Sequence, residues 1–165
     1  MRAILLVPLA TLGLLGAVLT FDLRNASAHG DIPPPVPTGS RLITAKQASF
    51  DPITMFVDAG QTIYFRKMSG HNFETVDGYV PEGQEKIYTD LGKDVELAFD
   101  VPGIVVYKCT PHWGAVMGGI LVVGDPPNLK DLVEEYREKA ESDNENGVLS
   151  LLEVLDEHIM DRELG

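Results

Sequence analysis

The segment Cys109-Thr-Pro-His-Trp-Gly-Ala-Val-Met117 carries the only cysteine of the chain, a histidine three positions later and a methionine five beyond that. A thiolate, an imidazole and a thioether form a soft donor set, which selects copper over oxygen-loving cations. One more imidazole completes a trigonal His2Cys site with a weak axial methionine, the arrangement of an electron-transfer copper centre. His71, in Gly-His-Asn-Phe-Glu-Thr-Val, can supply it from upstream. A buried thiol, a surface histidine and a core methionine could each occur alone. Their spacing, the strand before them and the upstream His-Asn pair all favour a common purpose.

Such a loop needs rigid supports. Ile104 to Lys108, Ile-Val-Val-Tyr-Lys, is β-branched and aromatic and reads as a strand running into Cys109. Gly118 to Val123, Gly-Gly-Ile-Leu-Val-Val, reads as the strand that leaves Met117. Three of the four donors therefore lie on one loop between adjacent strands, and Pro111 restricts its backbone. A loop held in this way can impose a compromise geometry that suits both oxidation states of copper, so electron transfer needs little rearrangement.

Cys109-Thr-Pro-His112 with Met117 resembles the ligand loop of the small blue copper proteins, the cupredoxins. His71-Asn-Phe-Glu-Thr-Val and Tyr79-Val-Pro-Glu-Gly-Gln-Glu are similar to pseudoazurins in particular, as is a two-helix tail after Gly124-Asp125. The similarity runs from about Asp51 to the C-terminus and is most specific in the loop. It implies a mainly β, cupredoxin-like Greek-key β-sandwich with two C-terminal α-helices and one type 1 copper ion. His71, Cys109 and His112 would be equatorial ligands and Met117 the axial one. Asn72 would tie the first ligand's segment to the cysteine loop.

Along the rest of the chain, Met1-Arg2 is followed by nineteen uncharged residues, Ala3 to Phe21, and then by Ala26-Ser-Ala28. This reads as an export signal, residues 1–28, cleaved ahead of His29. Nineteen helical residues also reach about 28 Å, so an uncleaved membrane anchor competes with cleavage. Both place the remainder outside the cytoplasm, in the periplasm. Residues 29–40 hold Pro33-Pro-Pro, Pro37 and Gly39 and read as an extended linker. A terminal His29 could brace a second copper as in polysaccharide oxygenases, but only four histidines exist and the loop site takes two.

Residues 41–124 have strand periods. Arg41–Ala45, Ile53–Val57, Gln61–Arg66, Asn72–Val76, Glu85–Tyr88 and Val95–Phe99 precede the two strands of the ligand loop, and seven or eight strands at this spacing indicate a β-sandwich. Residues 125–165 switch to helix. Leu129, Leu132, Val133, Tyr136 and Ala140 share one face, and Val148, Leu151, Leu152, Leu155 and Ile159 share another. Asp125-Pro126 suits a cap and first position, and Ser142 to Gly147 a break.

The net charge of −12 is uneven, with thirteen acidic and four basic residues in 125–165. Nucleic-acid binding is thereby excluded. Pseudoazurin-like proteins carry a lysine-rich ring around the copper, for which only Lys108, Lys67 and Arg66 are placed here. Four protein ligands leave no open position for substrate, so the site is not that of an enzyme. The expected chemistry is outer-sphere transfer of one electron through the edge of His112. Redox partner proteins would dock on the apolar loop around His112 and Trp113, with Pro111, Ala115 and Val116. Resemblance suggests a denitrification enzyme such as a copper nitrite reductase as acceptor. The alternative is a periplasmic copper-binding or copper-delivery protein.

Overall fold

The computed structural model describes residues 35–164. The leader and the first half of the proline-rich linker, His29 included, lie outside the described residues. Among the described residues no helix is long and apolar enough to cross a membrane.

Eight strands form two four-stranded sheets among the described residues. They are β1 (Arg41–Ala45), β2 (Phe50–Asp51), β3 (Thr54–Val57), β4 (Ile63–Arg66), β5 (Glu74–Thr75), β6 (Val95–Leu97), β7 (Gly103–Lys108) and β8 (Gly118–Val123). One sheet has the order β2-β1-β4-β6 and the other β3-β8-β7-β5. Both are mixed: β1 runs parallel to β4 and β3 parallel to β8, and the remaining neighbours are antiparallel. The expected sandwich is present, with helices α1 (Leu129–Asp143) and α2 (Asn146–Leu164) after it.

The pattern of β7 and β8 explains the layers. Successive strand residues face opposite sides, so a run buried throughout needs cover on both faces. Val105, Tyr107, Leu121 and Val123 enter the core between the sheets, where Phe50, Phe65 and Phe73 surround Tyr107. Ile104, Val106, Ile120 and Val122 face outward, against Val133, Tyr136 and Ala140 of α1 and Val148, Leu151, Leu152, Leu155 and Ile159 of α2. Every residue assigned to the second helical face is buried. Two hydroxyls fasten α1 to the sandwich: Tyr136 donates to the Ile104 carbonyl at 3.2 Å, and Tyr79 donates to Asp143 at 3.1 Å.

Three local expectations are corrected. Glu85–Tyr88 is not a strand but an irregular segment with a single bridge from Tyr88 to Glu74. Pro81 and Gly83, the latter at φ 84°, start it as a turn. Helix α1 begins at Leu129 with Asn128 ahead of it, not at Asp125-Pro126. Pro127 disfavours a helical Pro126, so the helix forms only beyond both prolines. The break between helices is also tighter than Ser142–Gly147. Asn144, in the left-handed region at φ 59°, ends α1, and α2 starts at Asn146.

Candidate metal centre

Strands β7 and β8 pair from Gly103–Val123 down to Lys108–Gly118, so the segment Cys109 to Met117 closes a hairpin at one end of the sandwich. Its middle is a 3₁₀ helix, Thr110–Ala115, started by Pro111. The loop is tied to itself. Cys109 N–H donates to the Met117 carbonyl at 2.8 Å, His112 N–H to Cys109 at 3.0 Å and Met117 N–H to His112 at 3.2 Å. Val116 ends the 3₁₀ helix at φ 57°, a conformation that a β-branched residue rarely adopts.

His71 arrives from the connection between β4 and β5. Its N–H donates to the Met68 carbonyl at 2.7 Å, and its carbonyl accepts from Gly92 N–H at 2.8 Å. Met68 N–H in turn donates to Asp94 at 3.0 Å. The Nδ1 atoms of His71 and His112 lie 3.7 Å and 3.3 Å from Cys109 Sγ. One donor atom from each residue falls within 4.8 Å of the others. Cys109 and Met117 are fully buried, His71 is 8% exposed and His112 is partly exposed. Burial, and then the neighbouring His112, hold the His71 pKa below its ordinary value, which keeps the imidazole neutral and able to donate its lone pair.

Asn72 joins the two segments as the resemblance implied. Its amide nitrogen donates to Thr110 Oγ1 at 2.8 Å, and its oxygen accepts from Thr110 N–H at 2.8 Å. Glu74 extends this link, accepting from the Thr110 hydroxyl and standing 3.6 Å from Lys108 Nζ. Sequence reasoning missed Glu74. The signal was its position two residues after Asn72 in the strand expected over Asn72–Val76, hence on the same side. Leu91, 57% exposed, stands next to Gly92, whose N–H donates to the His71 carbonyl. Trp113, read from the sequence as part of the exposed patch, is half-buried with its ring turned toward α2.

These donors fit copper. A buried thiol, two imidazole nitrogens close to it and a buried thioether on the same loop match the soft set that copper prefers, and fully buried Cys109 has no disulfide partner. A β-sandwich with this constellation at the end of a hairpin defines a cupredoxin. The chain belongs to the plastocyanin/azurin family of copper binding proteins, whose profile matches residues 40–124.

Within that family the similarity runs to pseudoazurins. The pseudoazurin of Methylorubrum extorquens is 36% identical over 77 residues, which is 46% of this chain and 52% of the relative. A putative pseudoazurin of Rhizobium leguminosarum is 35% identical over 85 residues, 50% of this chain and 56% of the relative. The crystal structure of pseudoazurin from Hyphomicrobium denitrificans superposes with a TM-score of 0.51 at 30% identity, covering 59% of this chain and 84% of that one. The chain spans about half the length of the curated relatives it matches.

Proposed function

We propose that this protein is an exported one-electron carrier in which His71, Cys109 and His112 bind a single copper ion with Met117 as the axial ligand. The observation that carries the reading is the approach of two Nδ1 atoms to one buried thiol within 4.8 Å. Bound there, copper supplies a one-electron couple. Cys109 provides the thiolate, His71 a neutral imidazole held by burial, and Asn72 keeps their two segments in register. Pseudoazurin relatives support the carrier reading over catalysis. The leader assigned to residues 1–28, the linker 29–40, the copper domain 41–124 and the helical extension 125–165 belong to the same reading. N-terminal sequencing of the native protein checks the periplasmic location by testing for a start at His29.

Burial also favours a carrier over copper delivery. Cys109 and Met117 are inaccessible and His71 nearly so, which leaves a receiving protein only His112 to approach. The same geometry suits electron exchange, because the His112 ring presents Nδ1 to the thiol while the residue stays partly exposed. Pro111, Ala115 and Val116 are exposed around it, with Leu91 on the neighbouring loop, and a weak, brief apolar contact is what a small redox interface uses. The acceptor implied by resemblance, a denitrification enzyme such as a copper nitrite reductase, is tested by following reoxidation of the reduced protein with that enzyme.

Copper titration of the metal-free protein is the direct test. One equivalent should give intense visible absorption that disappears on reduction and returns on oxidation. Cys109→Ser should abolish that absorption entirely, because a hydroxyl provides no thiolate charge transfer; an equally coloured variant would sink the assignment. Met117→Gln should retain copper and lower the potential, since a harder oxygen donor favours Cu(II). Equal potentials would remove Met117 from the ligand set.

A further inference from the structure

Glycine at position 147 is unexpected. It is the second residue of α2, in a first turn where alanine is the better helix former. Its φ is not positive, so the backbone does not require it. Space does. A Cβ at Gly147 would stand 2.5 Å from Cζ2 and 2.8 Å from Cη2 of Trp113. A rigid indole cannot swing away as a flexible chain end does.

The other side of the same ring lies on the residue after Met117. A Cβ at Gly118 would meet Trp113 Cζ3 at 2.9 Å and Leu151 Cδ1 at 3.0 Å, as well as the Tyr107 carbonyl at 2.5 Å. Trp113 itself follows His112 in the 3₁₀ helix, and its carbonyl accepts from Val116 N–H at 2.8 Å. Its six-membered ring is thus packed between the first turn of α2 and the start of β8. Through its backbone it is joined to His112 on one side, and through Gly118 it bears on Met117.

We propose that Trp113 is a positioning residue through which α2 sets the placement of His112 and Met117 in the metal loop. This rests on the copper reading for its spectroscopic consequence but not for its mechanical one. The helical layer is then more than a cover for the outer sheet face, because its first turn braces the ligand loop.

The experiment uses the full mature chain with and without copper. Gly147→Ala should displace the ring. Trp113 is the only tryptophan, so its emission should shift to the red in the metal-free protein, and amide resonances from Cys109 to Gly118 should move. In the copper form the intensity ratio of the thiolate charge-transfer bands and the potential should both change. Trp113→Phe removes the atoms that the new methyl meets, so Gly147→Ala should have little further effect on loop resonances in that background. Such non-additivity marks direct coupling.

Ile159→Ala is the control, since it is buried in the same helix about 18 Å further along. It should lower stability and leave loop resonances and band ratio unchanged. Additive effects of Gly147→Ala and Trp113→Phe, or equal loop changes from Ile159→Ala, would overturn the proposal. If copper gives the parent protein no thiolate band, the copper reading fails, and the metal-free resonances alone decide whether α2 positions the loop.

Discussion

The two segments that meet at the metal centre are held by different means. The hairpin loop from Cys109 to Met117 carries three of the four proposed donors and closes on itself through backbone bonds between Cys109, His112 and Met117. The segment around His71 supplies one donor and is fixed almost wholly by distant residues: Asp94 holds Met68, Gly92 holds the His71 carbonyl, and Asn72 reaches Thr110. The loop backbone is therefore closed locally, with Trp113 packed on the first turn of α2, whereas His71 is brought to it mainly by bonds to residues distant in sequence. Removing a contact inside the loop should alter site geometry, and removing one around His71 should alter whether the site assembles.

Asn72→Ala is the strongest way to part the two segments. It deletes two hydrogen bonds of a buried amide and leaves the Thr110 N–H without that acceptor, so a loss of about 2 kcal/mol is expected in denaturant unfolding of the metal-free protein. Copper affinity should fall with it. An unchanged midpoint would mean that the loop and the His71 segment are not coupled through this residue.

A milder perturbation is pH. The folded His71 pKa lies below 6.5, so the unfolded chain takes up its proton first as pH falls. The stability associated with neutral His71 is fully present above 6.5 and is lost as pH drops through the lower folded value. Metal-free protein should therefore weaken progressively on acidification below 6.5, and bound copper should move that loss to lower pH. His71→Gln should flatten this part of the profile. A profile unaltered by the substitution would assign the acid sensitivity to other groups.

The smallest effect is expected within the loop. Val116→Gly relieves a left-handed φ of 57° that costs a side-chain-bearing residue about 1–2 kcal/mol, while adding unfolded-state entropy that offsets part of the gain. Stability should rise by no more than about 1 kcal/mol in thermal unfolding. Marked destabilisation would show that the exposed valine side chain, not the backbone, matters for loop shape.

Local chemistry made much of this molecule readable from sequence alone. The spacing Cys109-x-x-His112-x4-Met117 specifies a soft donor set whatever the surroundings, and β1, β7 and β8 follow from β-branched runs bounded by turn residues. The buried faces of both helices follow from a 3.6-residue period, because one apolar stripe must find cover. Tertiary structure alone decided what depends on partners distant in sequence. The two-residue strand β2 exists through pairing with β1, Glu74 reaches the site through its strand register with Lys108, and Trp113 turns inward because Gly147 and Gly118 leave room for its ring. Periodicity records which face of an element is apolar, but which side chain fills a gap between two elements is determined only when they pack.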